Sequence, residues 1–115
     1  MDYRWLDLRS EKERLIFEAQ TCLCAAMREF LLGKEFLEIH SPKLIGAASE
    51  SGADVFEVQY FDRNAYLAQS PQFYKQMAMA SGFERIFETG PVFRAEKSYT
   101  NRHATEFTGF DVEFA

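Results

Sequence analysis

Residues 85–115 run RIFETGPVFRAEKSYTNRHATEFTGFDVEFA, and this stretch decides the fold of the chain. Both of its ends are rich in aromatic and β-branched residues, whereas the middle, from Lys97 to Thr105, is polar. This pattern predicts two long antiparallel strands that are joined by a loop. We place the first strand at 85–96, with an interruption near Gly90-Pro91, and the second strand at 106–115.

The elements before this hairpin are predicted as a helix, a strand, a second hairpin and a second helix. A capping box at Ser10 and apolar residues at steps of three and four from Leu15 to Leu31 predict a long amphipathic helix that stops at Gly33. The later elements begin with a strand over 35–40 and a loop over 46–54, followed by strands over 55–61 and 65–68 around Asp62-Arg63-Asn64. The second helix has Ser70 as its N-cap and Pro71 at its first position, and it ends near Ser81-Gly82. This order predicts an α+β fold that is built on an antiparallel sheet.

Composition and missing motifs exclude several classes of protein. The chain has 115 residues, a net charge of −5 and a pI near 5.0, so it lacks the basic surface of an autonomous nucleic-acid-binding module. No apolar run approaches the length of a membrane span, and the charged N-terminus does not resemble a secretory signal, so we expect a cytoplasmic protein. Neither a P-loop nor a Rossmann glycine motif is present, and the spacing of Cys22 and Cys24 disfavours both zinc and a disulfide.

The charged side chains of the 85–115 hairpin suggest a binding surface for an anionic, ring-bearing ligand. Arg94 at a strand end presents a planar guanidinium that suits a phosphate, and Glu96, two residues on, points to the same face. The remaining candidates are Arg102 and His103 in the loop, Phe107 as a stacking surface, and Asp111 and Glu113 on one face of the return strand. Such a floor fits a zwitterionic amino acid joined to a nucleotide. From the patterning alone, an exposed hairpin whose charges pair across its strands is the favoured alternative.

Three ordered segments resemble the motifs of class II aminoacyl-tRNA synthetases, and together they cover the chain from Arg4 to Ala115. The FRAE, TNRHATEF and DVEF segments within 93–114 resemble motif 2, and FLEIHSP at 36–42 resembles motif 1. AQSPQFYKQ at 68–76 is similar to a segment of aspartyl-tRNA synthetases, and residues 90–96 resemble the archaeal and eukaryotic branch. The resemblance implies that residues 1–9 end a linker from an OB-fold domain that is not in this chain. It also implies that residues 10–115 are part of the catalytic domain, with motif 1 at about 15–42 and motif 2 at about 85–115.

The family resemblance implies an aspartate–tRNA ligase, which activates L-aspartate with ATP to aspartyl-adenylate and transfers it to tRNA(Asp). It assigns ATP binding to Arg94, Glu96, Arg102, His103 and Phe107, and aspartate binding to Glu50, Ser70, Gln72, Lys75 and Asp111. Arg94 would be the catalytic residue, because it would stabilise charge as the carboxylate attacks the α-phosphate. Phe107 would stack under adenine, and Asp111 would hold the α-ammonium group.

Lys75 is the residue that the resemblance makes specific for aspartate. A buried ammonium pairs with the side-chain carboxylate of aspartate and is left without a counter-charge when asparagine binds. Without its neighbours, Lys75 is better explained as a solvated lysine of a helix.

The resemblance also bears on assembly and on completeness. Motif 1 forms much of the family's dimer interface, so the helical stripe and Pro42 imply a homodimer; a core helix within one chain is the alternative for the stripe. Motif 3, the carboxylates for Mg²⁺ and a further aspartate-binding arginine lie downstream of motif 2 in the family, so no metal ligand is expected in this chain. We therefore expect residues 1–115 alone to catalyse adenylation weakly or not at all. Two alternatives are a non-catalytic truncated paralogue, which would serve as a dimerising or amino-acid-binding module, and a relative of asparagine synthetase or asparaginyl-tRNA synthetase.

Overall fold

The computed structural model describes residues 2–46, 55–95 and 105–115 as an α+β protein. The chain divides into two compact units, Met1–Glu35 and Phe36–Ala115. The first unit is helical, and the second contains all six described strands and one helix. The boundary that the sequence suggests between residues 9 and 10 stays a prediction.

The first unit contains helix α1, Arg4–Asp7, which was not predicted, and the predicted long helix α2, Glu11–Gly33. The Ser10 hydroxyl accepts a hydrogen bond from the Glu13 backbone N–H at 3.3 Å, so the N-cap of the capping box is confirmed. Gly33 is the last helical residue and not the residue beyond the cap. The left-handed residue after the helix is Glu35, at a φ of 66°.

The apolar residues of α2 are mostly exposed. Half or more of the side-chain surface is accessible at Leu15, Ile16, Phe17, Leu23, Phe30 and Leu32, and Leu31 is the one buried residue of the helix. The two alternatives for this stripe, a dimer interface and a core helix, stay predictions.

The second unit contains two three-stranded sheets and helix α3, Gln72–Ala80. The first sheet has the order β1 (Leu37–Glu38), β5 (Arg85–Phe93), β6 (Glu106–Phe114), and the second has the order β2 (Leu44–Ile45), β4 (Arg63–Leu67), β3 (Glu57–Tyr60). The predicted 85–115 hairpin is confirmed as the β5–β6 pair. The predicted α+β fold on an antiparallel sheet is confirmed, and the parallel pairing of β1 with β5 was not predicted. A hairpin and a helix separate the two strands in the chain, and this length of connection allows a parallel pair.

Several predicted boundaries are wrong by a few residues. The strand expected over 35–40 is reduced to Leu37–Glu38, and β2 was not predicted. The hairpin expected around residues 62–64 turns at Phe61-Asp62, because Tyr60 pairs directly with Arg63. Helix α3 begins one residue late, with Pro71 as its N-cap, and the Ser70 hydroxyl accepts the Gln72 backbone N–H at 3.4 Å.

Strand β5 is not interrupted at Gly90-Pro91. The pairing with β6 continues there, with Gly90 opposite Gly109 and Pro91 opposite Thr108. A proline lacks an N–H and is tolerated where a strand has an unpaired side. Among the described strands, β1 pairs only with Ile86 and Phe87, so β5 has such a side at Pro91.

The buried apolar side chains lie where β5 and β4 meet their neighbours. Ile86 and Phe87 are fully buried, and Val92, Ala65 and Ala68 are nearly so. The Phe87 ring stacks on that of Phe110 from β6, with their centroids 5.7 Å apart. Because residues alternate between the faces of a strand, this stacking covers the face of β5–β6 opposite to the one that carries Glu88 and Asp111.

Candidate functional site

One face of the β5–β6 hairpin, which we call the floor, carries most of the predicted site residues that the structure describes. Directly opposite residues of antiparallel strands share a face. The floor therefore contains four register pairs: Ile86 with Glu113, Glu88 with Asp111, Gly90 with Gly109, and Val92 with Phe107. The backbone N–H of Arg94 donates to the Thr105 carbonyl at 2.8 Å, which extends the hairpin one step further and brings Arg94 to the same face.

The middle register pair of the floor consists of two glycines, Gly90 and Gly109, which have no side chains. A Cβ atom on Gly109 would lie 2.9 Å from Val92 Cγ2 and 3.4 Å from Asp111 Oδ2, which is too close for the first contact. A Cβ atom on Gly90 would lie 3.4 Å from Lys43 Cε. Glycine is therefore required at 109 by close approach.

At one end of the floor, the structure brings Arg94 and Phe107 together. The guanidinium carbon lies 5.3 Å from the centroid of the phenyl ring, which is a cation–π distance. Arg94 is exposed, and 38% of Phe107 is accessible. An accessible arginine beside an accessible ring is a chemically suitable site for a phosphate that is linked to an aromatic base.

At the other end, Lys75 reaches from α3 to the carboxylates of β6. Its Nζ lies 3.3 Å from Asp111 Oδ1 and 3.6 Å from Glu113 Oε2, and only 8% of its side chain is exposed. The interpretation of Lys75 as a solvated helix lysine is therefore wrong. The prediction that Asp111 and Glu113 share a face is confirmed, since both meet the same ammonium.

Backbone hydrogen bonds hold the start of α3 beside the floor. The Phe93 N–H donates to the Ala68 carbonyl at 3.1 Å, and the Ala68 N–H donates to the Lys43 carbonyl at 2.8 Å. Ser70 is half-buried just before the helix, and Gln72 is exposed on its first turn. The predicted aspartate-binding residues Ser70, Gln72 and Lys75 thus follow one another along the first turns of one short element.

A further carboxylate on the floor, that of Glu88 directly opposite Asp111, was not predicted as a site residue. Glu88 is buried, with 2% of its side chain exposed, and its Oε1 accepts from the Ser41 backbone N–H at 2.9 Å. The Ser41 hydroxyl is 2.9 Å from Oε1 and 2.8 Å from Oε2, and the Lys43 ammonium donates to Oε1. Burial by itself would raise the pKa of Glu88, but the hydrogen bonds from Lys43 and Ser41 hold it below the usual value. The available signal was a glutamate directly after the apolar pair Ile86-Phe87, inside the predicted strand.

Four predicted site residues lie outside the described residues: Glu50, Glu96, Arg102 and His103. Their assignments stay predictions. Pro42, which was predicted for a dimer interface, is exposed. In residues 2–46, 55–95 and 105–115, no group of three or more His, Cys, Asp or Glu side chains could hold a metal ion.

No helix among the described ranges has the length and apolar character that a membrane crossing requires.

The α+β fold that carries this hairpin matches the catalytic core of a class II aminoacyl-tRNA synthetase. Residues 1–115 match, over their whole length, the family model described as tRNA synthetases class II (D, K and N). The chain belongs to this family.

Three known proteins show how close the relationship is. The chain is 59% identical over 113 residues to the cytoplasmic aspartate–tRNA ligase 1 of Dictyostelium discoideum, and this covers 98% of the chain and 20% of that protein. The aspartyl tRNA synthetase from Entamoeba histolytica is 48% identical, with a TM-score of 0.78 over 98% of this chain and 19% of that one. The asparaginyl-tRNA synthetase from Pyrococcus horikoshii, complexed with asparaginyl-adenylate, is 43% identical, with a TM-score of 0.91 over 99% of this chain and 26% of that one.

The chain therefore spans 19–26% of the length of these three relatives. The resemblance to class II synthetases of the archaeal and eukaryotic type is confirmed. Identity is higher to the two proteins named for aspartate than to the one named for asparagine.

Proposed function

We propose that this chain forms part of an aspartate–tRNA ligase, which activates L-aspartate with ATP and transfers it to tRNA(Asp). The observation that carries the proposal is the buried Lys75, whose Nζ lies 3.3 Å from Asp111 Oδ1. A cation and an anion placed side by side match the side-chain carboxylate and the α-ammonium of aspartate. The higher identity to the relatives named for aspartate also supports the proposal.

The Arg94 end of the floor would bind ATP. The Phe107 ring would stack under adenine, and the Arg94 guanidinium would contact the α-phosphate. The family resemblance adds Glu96 at the base and Arg102 and His103 at the outer phosphates. Attraction between the guanidinium and the ring supports this assignment, because it orients Arg94 before a ligand binds.

The Lys75 end would bind L-aspartate. In the free protein Lys75 already has two carboxylate neighbours, so its charge is compensated without ligand. On binding, the α-ammonium of aspartate would pair with Asp111, and the side-chain carboxylate would take the place of Asp111 at Lys75. This exchange of partners keeps each buried charge paired, whereas asparagine would supply only one of the two new pairs. Ser70, Gln72 and Glu50 would complete the amino-acid site.

The chemical step would take place between these two ends. A carboxylate oxygen of aspartate attacks the α-phosphorus of ATP, the P–O bond to pyrophosphate breaks, and the aspartyl-adenylate forms. Arg94 would stabilise the negative charge that develops on the α-phosphoryl oxygens. When bound, Mg²⁺ would supply neutralisation of the outer phosphates; the described residues include no cluster of three or more His, Cys, Asp or Glu side chains that could hold a metal ion, so we assign it no ligand here.

The proposed enzyme would work as a cytoplasmic homodimer. The apolar stripe of α2 and Pro42 are exposed, and they belong to the segment that resembles the family's interface motif. Burial of such apolar side chains against a second copy would be favourable. The name of the Dictyostelium relative includes the word cytoplasmic.

An asparagine-specific enzyme is the second candidate, because the asparaginyl-tRNA synthetase from Pyrococcus horikoshii has a TM-score of 0.91 to this chain. The charge of Lys75 separates the two candidates, because an ammonium binds the carboxylate of aspartate more strongly than the neutral carboxamide of asparagine.

The test is ATP–pyrophosphate exchange with the longest natural chain that carries these residues. We expect exchange that depends on L-aspartate and little exchange with L-asparagine at equal concentration. Exchange with asparagine alone would favour the second candidate, and no exchange with either amino acid would refute the proposed activity.

A further inference from the structure

The segment from Ile39 to Lys43 follows strand β5 toward the middle of the floor. The Ile39 N–H donates to the Phe87 carbonyl at 2.9 Å, and the Ser41 N–H donates to the Glu88 carboxylate. Two residues later, Lys43 stands over Gly90, whose hypothetical Cβ atom would lie 3.6 Å from the lysine Nζ. The direction of that Cβ is the floor side, so the ammonium lies above the floor between its two ends.

Glu88 fixes the position of this ammonium. The carboxylate binds both Ser41 and Lys43, the residues on either side of Pro42, and it is itself almost completely buried. A buried carboxylate needs hydrogen-bonding partners to remain charged, and these two residues supply them. The Lys43 carbonyl is held independently by the Ala68 N–H, so both ends of the lysine are anchored.

The Lys43 ammonium is not fully used by these contacts. An ammonium has three N–H donors, and within the described residues Lys43 donates to Glu88 and, at 3.2 Å, to Ser41 Oγ. Its side chain is 24% exposed, and the two contacts leave one N–H donor for a further acceptor. A ligand that extends along the floor from Phe107 to Asp111, a distance of about 13 Å over four residues, must pass the glycine pair beside Lys43.

We infer that Lys43 is a further binding residue of this site, which donates a hydrogen bond to an anionic oxygen at the middle of the ligand, and that Glu88 is the residue that positions it. The inference rests on the proposed function for the identity of the ligand. In aspartyl-adenylate the middle is the acyl-phosphate link, so the acceptor is a carboxyl or α-phosphate oxygen. The paired Glu88 makes the lysine locally neutral, so the site gains a directed donor and not an additional net charge.

The first experiment measures the reactivity of the Lys43 amine in the longest natural chain that carries these residues. The protein is acetylated with a limiting amount of an activated acetate ester, with and without AMP and L-aspartate, and each lysine is followed by mass spectrometry. We expect the two ligands together to slow the acetylation of Lys43 at least about fivefold, because a hydrogen-bonded ammonium loses its proton less readily. Lys12 on the exposed side of α2 serves as the internal control and should not change. No protection of Lys43 would overturn the inference.

The second experiment tests the roles by substitution. Lys43→Met should weaken the binding of AMP or L-aspartate about tenfold, and Lys43→Arg should recover most of the loss, since a charge-assisted hydrogen bond is removed and then restored. Glu88→Gln should raise the acetylation of Lys43 in the free protein, and Glu84→Gln, at the exposed position just before the same strand, should not. Unchanged affinity in Lys43→Met would refute the binding role.

A folding defect in Glu88→Gln is separated from a binding defect by the double variant Glu88→Gln with Lys43→Met. This variant removes both partners, so we expect it to recover stability while its ligand affinity stays low. Recovery of both stability and affinity would show that the pair only supports the fold.

Aspartate-dependent pyrophosphate exchange is measured separately on the unchanged protein. Exchange without protection of Lys43 would refute the inference alone, and protection by AMP without exchange would refute the proposed function alone.

Discussion

Lys75 Nζ lies 3.3 Å from Asp111 Oδ1, and this contact joins helix α3 to the last strand of the chain. The lysine is nearly buried, while Asp111 and the second carboxylate, Glu113, are each about one-third exposed. The two anions are therefore more accessible than the cation. In the proposed site, substrate groups would replace one carboxylate without exposing the lysine.

Replacing Lys75 by leucine tests whether this cation reads the substrate carboxylate. In the longest natural chain that carries these residues, Lys75→Leu should lower kcat/KM for aspartate more than kcat/KM for asparagine. We expect the ratio of the two to fall at least about tenfold, because only aspartate loses an ion pair. Gln76→Leu, at the next and exposed position of α3, should leave the ratio unchanged. Pyrophosphate exchange with both amino acids measures the effect. Equal losses for the two amino acids would contradict the role of Lys75.

The glycine pair in the floor leads to a stability prediction. Gly109→Ala should destabilise the protein by about 1–3 kcal/mol, since the added methyl group meets Val92 Cγ2 at 2.9 Å. Gly33→Ala is the matched control, because nothing lies within 4 Å of its hypothetical Cβ at the end of α2. The control should be neutral or stabilising by up to about 1 kcal/mol. Urea unfolding measures both, and equal stability of the two variants would contradict the close approach.

The turn of the β3–β4 hairpin places a bulky residue where the backbone favours glycine or asparagine. Phe61 has a φ of 53° and is 82% exposed. Phe61→Asn should therefore stabilise the protein by about 0.5–1 kcal/mol, because asparagine tolerates this conformation and little apolar burial is lost. Asp62→Gly changes the neighbouring turn residue, which has no positive φ, and should not stabilise. Thermal unfolding of the three proteins compares them, and a lower midpoint for Phe61→Asn would count against backbone strain at this turn.

The buried Glu88 leads to a prediction about acid stability. Burial opposes its ionisation, but donors from Lys43 and Ser41 lower its pKa below the ordinary value of 4.5. The unfolded chain therefore takes up a proton before the native protein does, so the stabilisation is present above about pH 4.5 and is lost as the pH falls through the lower native pKa. Glu88→Gln cannot titrate, and its urea midpoint should fall less steeply below about pH 4.5 than that of the unchanged protein. Glu84→Gln should keep the original slope, and an unchanged slope in Glu88→Gln would assign the acid sensitivity to other carboxylates.

Local patterns in the sequence predicted the elements well wherever neighbours in the chain decide the outcome. The N-cap at Ser10, the length of α2 and the β5–β6 hairpin depend on residues that are close in sequence, and all three are present. The turn at Phe61-Asp62 was placed one residue too late, because the cross-strand register and not the turn composition sets its position. The parallel pairing of β1 with β5 had no local signal at all.

The family, the two long strands and the presence of an arginine, an aromatic ring and carboxylates on one floor follow from local sequence patterns. Which of these charges are buried together depends on tertiary packing. Lys75 meets a partner 36 residues away, and Lys43 meets one 45 residues away. Such pairs form because folding removes water from both groups and leaves each as the best available partner of the other. The residue pattern around Lys75 is compatible with a solvated helix, and packing against β6 is what turns it into a buried cation at a candidate aspartate site.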